Sequence, residues 1–477
     1  MMKKIKNTPC DLELSPEKMR EMGEAALAAV IDHIRDLPGS PRSGLENGDV
    51  IARSLKEPPP ESGAEFSRLL EFLMKQVIPI SVNTAHPTFM GFIPGGGLYP
   101  AAIAELLAAA TNRYVGVWFE SPAAVRLEAN VLDWFSRWMG YPEGARGILT
   151  SGGSLANFSA VVTARRHLLG DDIARGTIYV SDQAHYCVMK AAMLAGIPER
   201  NIRILESDDR FHAVPRRFEA AIRKDRERGF IPFLCVASAG TTNTGAVDPL
   251  EELARVAESA SLWYHIDGAY GGFFNLCSEG HRILRGIDRS DSVVLDPHKG
   301  LFLPYGTGSL LVKDGERLRR AHCVTAEYLQ DLETPRGEMN PAEYSPELTR
   351  SFRGLRVWLP LKLYGVGAFR ENLAEKLQLT RMMYRWFLEA PGFECLSEPE
   401  LSVITFRYRP KRGDVESFNR ALLAKIVRSQ KLFLSSTQLK GSYAIRVCIL
   451  SFRTHRSEIE EAFDIITSAA RELESSY

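Results

Sequence analysis

The chain has 477 residues, of which 45% are hydrophobic, 25% charged and 9% aromatic, a composition typical of globular proteins and not of disordered or fibrous ones. This length favours two to four structural units. Lys plus Arg and Asp plus Glu both total 59. With no net charge to attract nucleic acid or an anionic membrane surface, neither partner is expected.

No apolar stretch approaches the ~20 residues that cross a bilayer, and the first residues lack the apolar core of a signal peptide. We therefore expect a cytoplasmic protein without membrane association. The seven cysteines are scattered and never form a CxxC pair, which argues against a disulfide framework or a metal site.

Residues 15–37 and 65–77 have helical apolar spacing, and a Pro/Gly-rich segment separates them. From about residue 85 to 315, short β-rich runs alternate with helical stretches, which predicts an α/β domain with a mainly parallel sheet. The predicted strands cover residues 146–150, 177–182, 233–238, 262–267, 292–296 and 308–312.

Residues 323–350 interrupt this alternation, because they are polar, contain three prolines and exceed the length of an ordinary connection. Such a loop is functional or disordered. A helical stretch over 350–388 follows, then strands within 401–408 and 444–450 and a helix from 457. We predict an N-terminal helical segment (1–85), a large domain (86–365) and a small C-terminal α+β domain (366–477).

A glycine and serine cluster follows the first predicted strand, with Gly152, Gly153 and Ser154 at the start of a helix and Asn157 one turn further in. Backbone amides at such a helix start can bind a phosphate. A Gly-rich turn with a serine cap explains this motif equally well.

Asp267 ends the strand in the segment LWYHIDGAYGG and is followed by small residues, including Ala269. A buried carboxylate there would hold a pyridine nitrogen protonated, and Ala269 would let a flat ring approach the backbone. An aspartate that caps a turn is the alternative.

Lys299 follows Pro297 and His298 in the segment SVVLDPHKG, between apolar stretches. We expect packing and a nearby cationic ring to lower the pKa of its amine, which makes the amine nucleophilic enough to form an imine. A solvated surface lysine is the alternative, and it is the commoner fate of a lone lysine.

The Gly/Ser cluster, His185, Asp267 and Lys299 each follow a predicted strand. Because open parallel sheets place ligands at the carboxyl ends of their strands, we expect these residues to converge on one crevice. His185 would lie across the face of a bound ring, although a lone histidine is more often structural.

These motifs resemble the group II pyridoxal 5′-phosphate (PLP) dependent decarboxylases of fold type I, the family of the aromatic-L-amino-acid, histidine and glutamate decarboxylases. The resemblance runs through nearly the whole chain. It is carried by HPTFMGFIPGGGLYP (86–100), TSGGSLAN (150–157), SDQAH (181–185), AGTTNTGAVDP (239–249), HIDGAYGG (265–272), DPHKG (296–300), FRGLRVW (352–358) and RVCILSFRT (446–454).

The resemblance implies PLP as cofactor, with Lys299 as the Schiff-base lysine, Asp267 as partner of the pyridine nitrogen and His185 stacked on the ring. The remaining predicted cofactor contacts are Gly152, Gly153, Ser154 and Asn157 near the phosphate, Thr242 and Ala269 beside the ring, and His298 near the phosphate or the reacting carbon.

The resemblance also implies a homodimer with active sites at the subunit interface and a mobile loop that reaches toward the partner's site. Residues 323–350 occupy the place of that loop. Tyr344 is the predicted proton donor to the carbon that loses CO2, and Tyr328 is a weaker candidate. A related branch that lacks this donor forms an aldehyde oxidatively.

His86, Phe92, Trp118 and Arg353 are predicted to shape the substrate pocket, although aromatic residues at such positions are as often core. Arg353 would pair bidentately with a carboxylate or fix the base of the loop. The predicted reaction is decarboxylation of an L-amino acid, with aromatic substrates favoured. The alternatives are an aldehyde-forming oxidative decarboxylase, an aminotransferase, a carbon-carbon lyase or a catalytically silent binding homologue.

Overall fold

The computed structural model describes residues 12–44, 48–324, 335 and 337–476. Three helices form the N-terminal segment: α1 (Pro16–Asp36), α2 (Gly48–Ser54) and α3 (Phe66–Phe72). Helix α1 begins where the Ser15 side chain accepts a hydrogen bond from the Lys18 amide. The apolar spacing did not predict α2, because seven residues are too few to establish a helical period.

The large domain contains a seven-stranded sheet in the order β1-β7-β6-β5-β4-β2-β3. Its strands are β1 (Arg146–Thr150), β2 (Gly176–Ser181), β3 (Ile202–Leu205), β4 (Ile231–Ser238), β5 (Trp263–Asp267), β6 (Ser292–Leu295) and β7 (Gly308–Val312). Strand β7 is antiparallel to β6 and β1, and the other neighbouring pairs are parallel. The prediction of a mainly parallel sheet is confirmed.

Helices cover both faces of this sheet, which explains why its central strands are apolar runs and not alternating ones. They are α4 (Tyr99–Thr111), α5 (Pro122–Trp138), α6 (Gly153–Leu168), α7 (Tyr186–Leu194), α8 (Pro215–Glu227), α9 (Leu250–Ser259), α10 (Ser278–Ile283), α11 (Pro297–Gly300) and α12 (Gly315–His322). Strand β3 was missed by the sequence analysis because it is a short edge strand that includes Arg203.

Helix α13 (Arg353–Glu389) joins the large domain to the small one. It bends at Gly365, whose φ of 73° lies in the left-handed region that favours glycine. The small domain has an antiparallel sheet in the order β10-β11-β9-β8. Its elements are β8 (Phe393–Cys395), β9 (Val403–Tyr408), β10 (Ser435–Leu439), β11 (Ser442–Cys448), α14 (Val415–Arg428) and α15 (Arg456–Ser475).

The predicted fold class is therefore confirmed in its helical N-terminal segment, its α/β large domain and its small α+β domain. Across the described part of the chain, every helix is too short or too polar to cross a bilayer.

Candidate active site

A cavity of about 390 Å³ lies at the carboxyl ends of β1, β2, β4, β5 and β6. Parallel strands end at the same edge of the sheet, so loops that are far apart in sequence meet there. The lining residues are Ser151, Gly152, Gly153, Ser154, Leu155, Asn157, His185, Cys187, Ser238, Gly240, Thr241, Thr242, Asp267, Ala269, Tyr270, Asp296, His298 and Lys299. The structure thus brings together all the residues that the sequence analysis assigned to the cofactor.

The Gly/Ser loop begins helix α6, with Gly153 as its first residue. A Cβ atom at Gly153 would lie 2.9 Å from Asp296 Oδ2, so the close approach of these two segments requires glycine. The first amides of a 16-residue helix have no acceptor within the helix and carry the positive end of its dipole. Together with the exposed Ser154 hydroxyl, they suit a phosphate.

Asp267 lies at the floor of the cavity, only 8% exposed. Its Oδ1 accepts a hydrogen bond from the Ala269 amide at 3.1 Å, and its Oδ2 accepts one from Asn157 Nδ2 at 3.4 Å. Asn157 is fully buried and also contacts His265. In the structure its side chain therefore supports Asp267, and its predicted place near the phosphate stays a prediction.

Lys299 forms an ion pair with Asp296 in which the Nζ to Oδ2 distance is 2.9 Å. Burial lowers the pKa of Lys299, but Asp296 more than offsets this effect, and the resulting pKa is raised above the ordinary value. The predicted depression of this pKa is therefore wrong for the structure as described. Asp296 is almost fully buried, and its Oδ1 has no hydrogen-bond partner among the described residues.

Two histidines flank the cavity. His185 precedes α7, and its Nδ1 accepts a hydrogen bond from the Cys187 amide at 3.3 Å. His298 contacts the Thr307 carbonyl oxygen through Nδ1 at 2.6 Å and lies against Gly152. Burial lowers the pKa of both imidazoles, so each is neutral at physiological pH.

Next to the lining residues Thr242 and His298 lies a region, called the mouth below, that contains Phe92, Tyr305 and Arg446, a buried residue of β11 that the sequence analysis did not single out. Its guanidinium donates hydrogen bonds to the carbonyl oxygens of Thr242 and Phe92. It therefore ties the Phe92 segment and the small domain to the loop that lines the cavity. The Phe92 side chain is 60% exposed, and Tyr305, also 60% exposed, lies 5.7 Å from the His298 ring.

Three predicted substrate residues make other contacts. His86 is buried, its Nδ1 accepts from the Thr88 amide, and burial lowers its pKa to about 4. The Trp118 amide donates to Asn340 Oδ1 at 2.8 Å. Arg353 pairs bidentately with Glu347 at 2.6 and 2.8 Å, so its carboxylate partner belongs to its own chain. Among the described residues, the lining of the cavity includes neither these three nor Phe92, the fourth predicted substrate residue.

Tyr344, the predicted proton donor, also lies away from the described lining of the cavity. It is buried in a hydrophobic cluster with Ile148 and Met339, and the charged groups around it include Arg146, at the opposite end of β1 from the Gly/Ser loop. Its segment is fixed there because the Ala342 amide donates to the Gly116 carbonyl oxygen at 2.9 Å. Tyr328, the weaker candidate, lies outside the described residues.

The residues of the cavity fit PLP. The start of α6 would hold the phosphate, Asp267 would face the pyridine nitrogen, and Lys299 would bind the aldehyde carbon. Lys299 Nζ pairs with Asp296 Oδ2, so Asp296 can hold the amine of Lys299 when that amine is not bound to the cofactor. The other carboxylate oxygen, Oδ1, has no hydrogen-bond partner among the described residues. Fold and site together define a PLP-dependent enzyme of fold type I.

Comparison with known proteins identifies the branch of this class. The model of the pyridoxal-dependent decarboxylase conserved domain matches residues 51–409. The chain is 35% identical to an aromatic-L-amino-acid decarboxylase of Bacillus atrophaeus over 98% of both chains, and 27% identical to a phenylacetaldehyde synthase of Arabidopsis thaliana over 96% of this chain and 97% of that protein. The structure of Oryza sativa TDC with PLP and tryptamine superposes with a TM-score of 0.92 at 26% identity, covering 97% of this chain and 99% of that chain.

The chain therefore belongs to the pyridoxal-dependent decarboxylase family, as its motifs predicted. It is a PLP-dependent carboxy-lyase that acts on amino acids.

Proposed function

We propose that this enzyme decarboxylates an aromatic L-amino acid and releases the amine and CO2. The observation that carries the proposal is the convergence of Lys299, Asp267 and His185 on one cavity, beside which the exposed Tyr305 ring lies 5.7 Å from the ring of the lining residue His298. The similarity to an aromatic-L-amino-acid decarboxylase over 98% of both chains supports it.

Bound PLP supplies the electron sink for the pair of electrons that CO2 leaves behind. Asp267 sustains that sink, because a buried carboxylate beside the pyridine nitrogen favours the protonated nitrogen. The carboxylate is held by the Ala269 amide and Asn157, so its orientation does not depend on the substrate.

Lys299 would hold the cofactor covalently, and its amine would be free while a substrate amine occupies that position. Asp296 then receives the Lys299 ammonium at hydrogen-bond distance, as the 2.9 Å pair in the structure illustrates. Stored in this way, the ammonium is a proton source inside the cavity. His185, which is neutral because burial lowers its pKa, offers a flat uncharged surface to the ring of the cofactor.

The mouth favours an aromatic substrate side chain. Phe92 stands beside a small aromatic cluster, since its ring centroid lies 6.4 Å from that of Phe89 and 6.2 Å from that of Phe433. Tyr305 lies on another side, next to His298. Such rings select flat apolar side chains by contact area and ring geometry and offer no charge to an acidic or basic one.

The second candidate reaction is oxidative formation of an aldehyde, which the similarity to a phenylacetaldehyde synthase favours. Decarboxylation to the amine needs a proton donor at the reacting carbon. Lys299, whose ammonium pairs with Asp296, is the donor that we propose from the described residues.

We further propose that the enzyme is a cytoplasmic homodimer. Helix α1 contains no buried residue, although Leu27, Val30 and Ile31 are apolar side chains on its surface. A second copy of the chain would cover this surface, and measurement of the molar mass by light scattering tests the assignment.

The deciding experiment measures CO2, amine, aldehyde and peroxide from a panel of aromatic, acidic and basic L-amino acids. We expect one mole of amine per mole of CO2, and aromatic substrates to have the highest kcat/KM. Lys299→Ala is the control and should neither bind PLP covalently nor release CO2 above background. A keto acid product, aldehyde with peroxide, or a preference for acidic amino acids would contradict the proposal.

A further inference from the structure

A chain of hydrogen bonds continues from Asp267 into the interior of the sheet. Asn157 Nδ2 lies 3.4 Å from Asp267 Oδ2, and Asn157 Oδ1 lies 2.9 Å from His265 Nε2. On the far side of the imidazole, His265 Nδ1 lies 2.8 Å from Ser292 Oγ, and Trp263 Nε1 lies 2.8 Å from the same oxygen. His265, Ser292 and Asn157 are all fully buried.

The direction of these bonds follows from the carboxylate end. The Asp267 carboxylate and the Gly153 carbonyl oxygen only accept, so Asn157 donates to both through Nδ2, and its Oδ1 accepts from His265 Nε2. A neutral His265 that carries its proton on Nε2 has a lone pair on Nδ1, so Ser292 Oγ donates to Nδ1. The same oxygen accepts from the indole N–H of Trp263, and all the donors therefore point toward the carboxylate.

The charge state of His265 agrees with this direction. Burial lowers its pKa to about 4, which the neighbouring Asp267 only partly opposes, so the imidazole is neutral at physiological pH. A neutral imidazole ring has one N–H and one nitrogen lone pair, and the chain of hydrogen bonds uses both. A cationic ring would neutralise Asp267 from behind and weaken its attraction for a protonated pyridine nitrogen.

We propose that Ser292 and His265 are positioning residues that act through Asn157 to hold the Asp267 carboxylate in one orientation. Aligned neutral donors stabilise a carboxylate without adding an opposing charge, and successive donors polarise one another. The negative charge of Asp267 thereby remains available to the cofactor. The inference rests on the proposed function for the role of Asp267, but the chain of hydrogen bonds can be tested in protein without cofactor.

The competing explanation is that these groups only satisfy one another's hydrogen bonds in the core. Ser309 provides a matched control, because it is also fully buried in this sheet, on β7, and its Oγ has no partner among the described residues. Ser292→Ala and Ser309→Ala remove the same hydroxyl group, one inside the chain of hydrogen bonds and one outside it.

The first measurement is a ¹⁵N NMR spectrum of the histidine side chains in the apoprotein, with His265 assigned from the His265→Gln variant. We expect a neutral Nε2–H tautomer with no titration between pH 5.5 and 8. Ser292→Ala should populate both tautomers, whereas Ser309→Ala and Ser292→Thr should match the wild type. A cationic His265, or the Nδ1–H tautomer in the wild type, overturns the proposal even if Ser292→Ala fails to fold.

The second measurement uses enzyme reconstituted with PLP that carries ¹⁵N in the pyridine ring. In Ser292→Ala we expect a smaller protonated fraction of this nitrogen and a fall in kcat of about fivefold, with KM within about twofold. Ser309→Ala should change neither. Identical spectra and rates for the two variants would overturn the positioning role. A protein that takes up no PLP would instead contradict the proposed function, and the apoprotein spectra would still decide whether the chain of hydrogen bonds exists.

Discussion

The floor and the mouth of the cavity differ in how they are built. On the floor, Asp267 and Asp296 are buried at the ends of central strands, Asn157 is buried in helix α6, and residues of the same chain fix their positions. At the mouth, Phe92 and Tyr305 are each 60% exposed. The groups proposed to act on the cofactor are therefore held by contacts within the chain, whereas the rings proposed to meet the substrate are largely open to solvent.

This difference separates residues whose role can be predicted from sequence position, at strand ends, from residues whose role depends on their neighbours, on the surface. Strand ends are rigid positions, so a residue type at such a position reports directly on the chemistry of the site. Surface aromatic residues indicate substrate specificity only when the residues around them in the structure are known. Substitutions on the floor should therefore change the chemical step strongly, and substitutions farther away should change it little.

The largest effect is expected for Asp267→Asn. The amide cannot hold the pyridine nitrogen protonated, so kcat should fall by a factor on the order of 10² or more, while PLP affinity changes by about tenfold or less. Single-turnover CO2 release and fluorescence titration with PLP measure the two quantities. Asp171→Asn, at an exposed aspartate outside the cavity, is the control. Equal losses of kcat in both variants, or loss of PLP binding alone, would contradict the assignment.

A smaller and oppositely directed effect is expected for Asp296→Asn. In the wild type Asp296 raises the pKa of Lys299 above its ordinary value, so the amine of the apoprotein is cationic at neutral pH and covalent attachment of PLP accelerates as pH rises. The substitution leaves burial as the dominant effect and lowers this pKa. The attachment rate at pH 7 should therefore rise by about tenfold or more and lose its dependence on alkaline pH.

Stopped-flow absorbance of apoprotein mixed with PLP gives these rates. Ser154→Ala, which removes a hydroxyl at the start of α6, should weaken PLP binding and leave the pH dependence unchanged. The role of Asp296 would be refuted by identical pH profiles for the wild type and Asp296→Asn.

The contrast between floor and mouth also explains what the sequence could and could not predict. The six strands predicted in the large domain exist because buried parallel strands are runs of apolar residues, and the sheet then dictates that Lys299, Asp267 and His185 meet. Asp296 was overlooked although it stands three residues before Lys299. Its pairing depends on the short helix α11, which turns both side chains to one side.

His265 and Ser292 were also missed as functional residues, because a mainly apolar run shows that a strand is buried but not which polar side chains share a hydrogen bond across strands. Arg446 was missed for a related reason, since its contacts with Thr242 and Phe92 join segments more than 200 residues apart. Contacts of this kind arise from tertiary packing and leave no spacing signal.

The smallest effect is expected for the substitution Tyr344→Phe. The sequence analysis assigned Tyr344 to the catalytic loop. Asn340 accepts from the Trp118 amide and Arg319 pairs with Glu343, so the segment that carries Tyr344 is anchored near the start of β1 in its own chain. We propose that a hydroxyl held there does not reach the carbon that loses CO2. We expect kcat and the amine to aldehyde ratio to stay within about twofold of the wild type.

Product analysis under aerobic conditions, with peroxide measured in parallel, gives this ratio. A rise in aldehyde and peroxide for Tyr344→Phe would show that the segment that carries Tyr344 leaves its buried position during turnover. The movement of this segment would then bring the tyrosine hydroxyl to the mouth of the cavity. If the ratio is unchanged, the proton must come from the floor or from the residues between 325 and 334. The double variant Tyr344→Phe/Tyr328→Phe separates these sources, because only a loop donor would then convert amine formation into aldehyde formation.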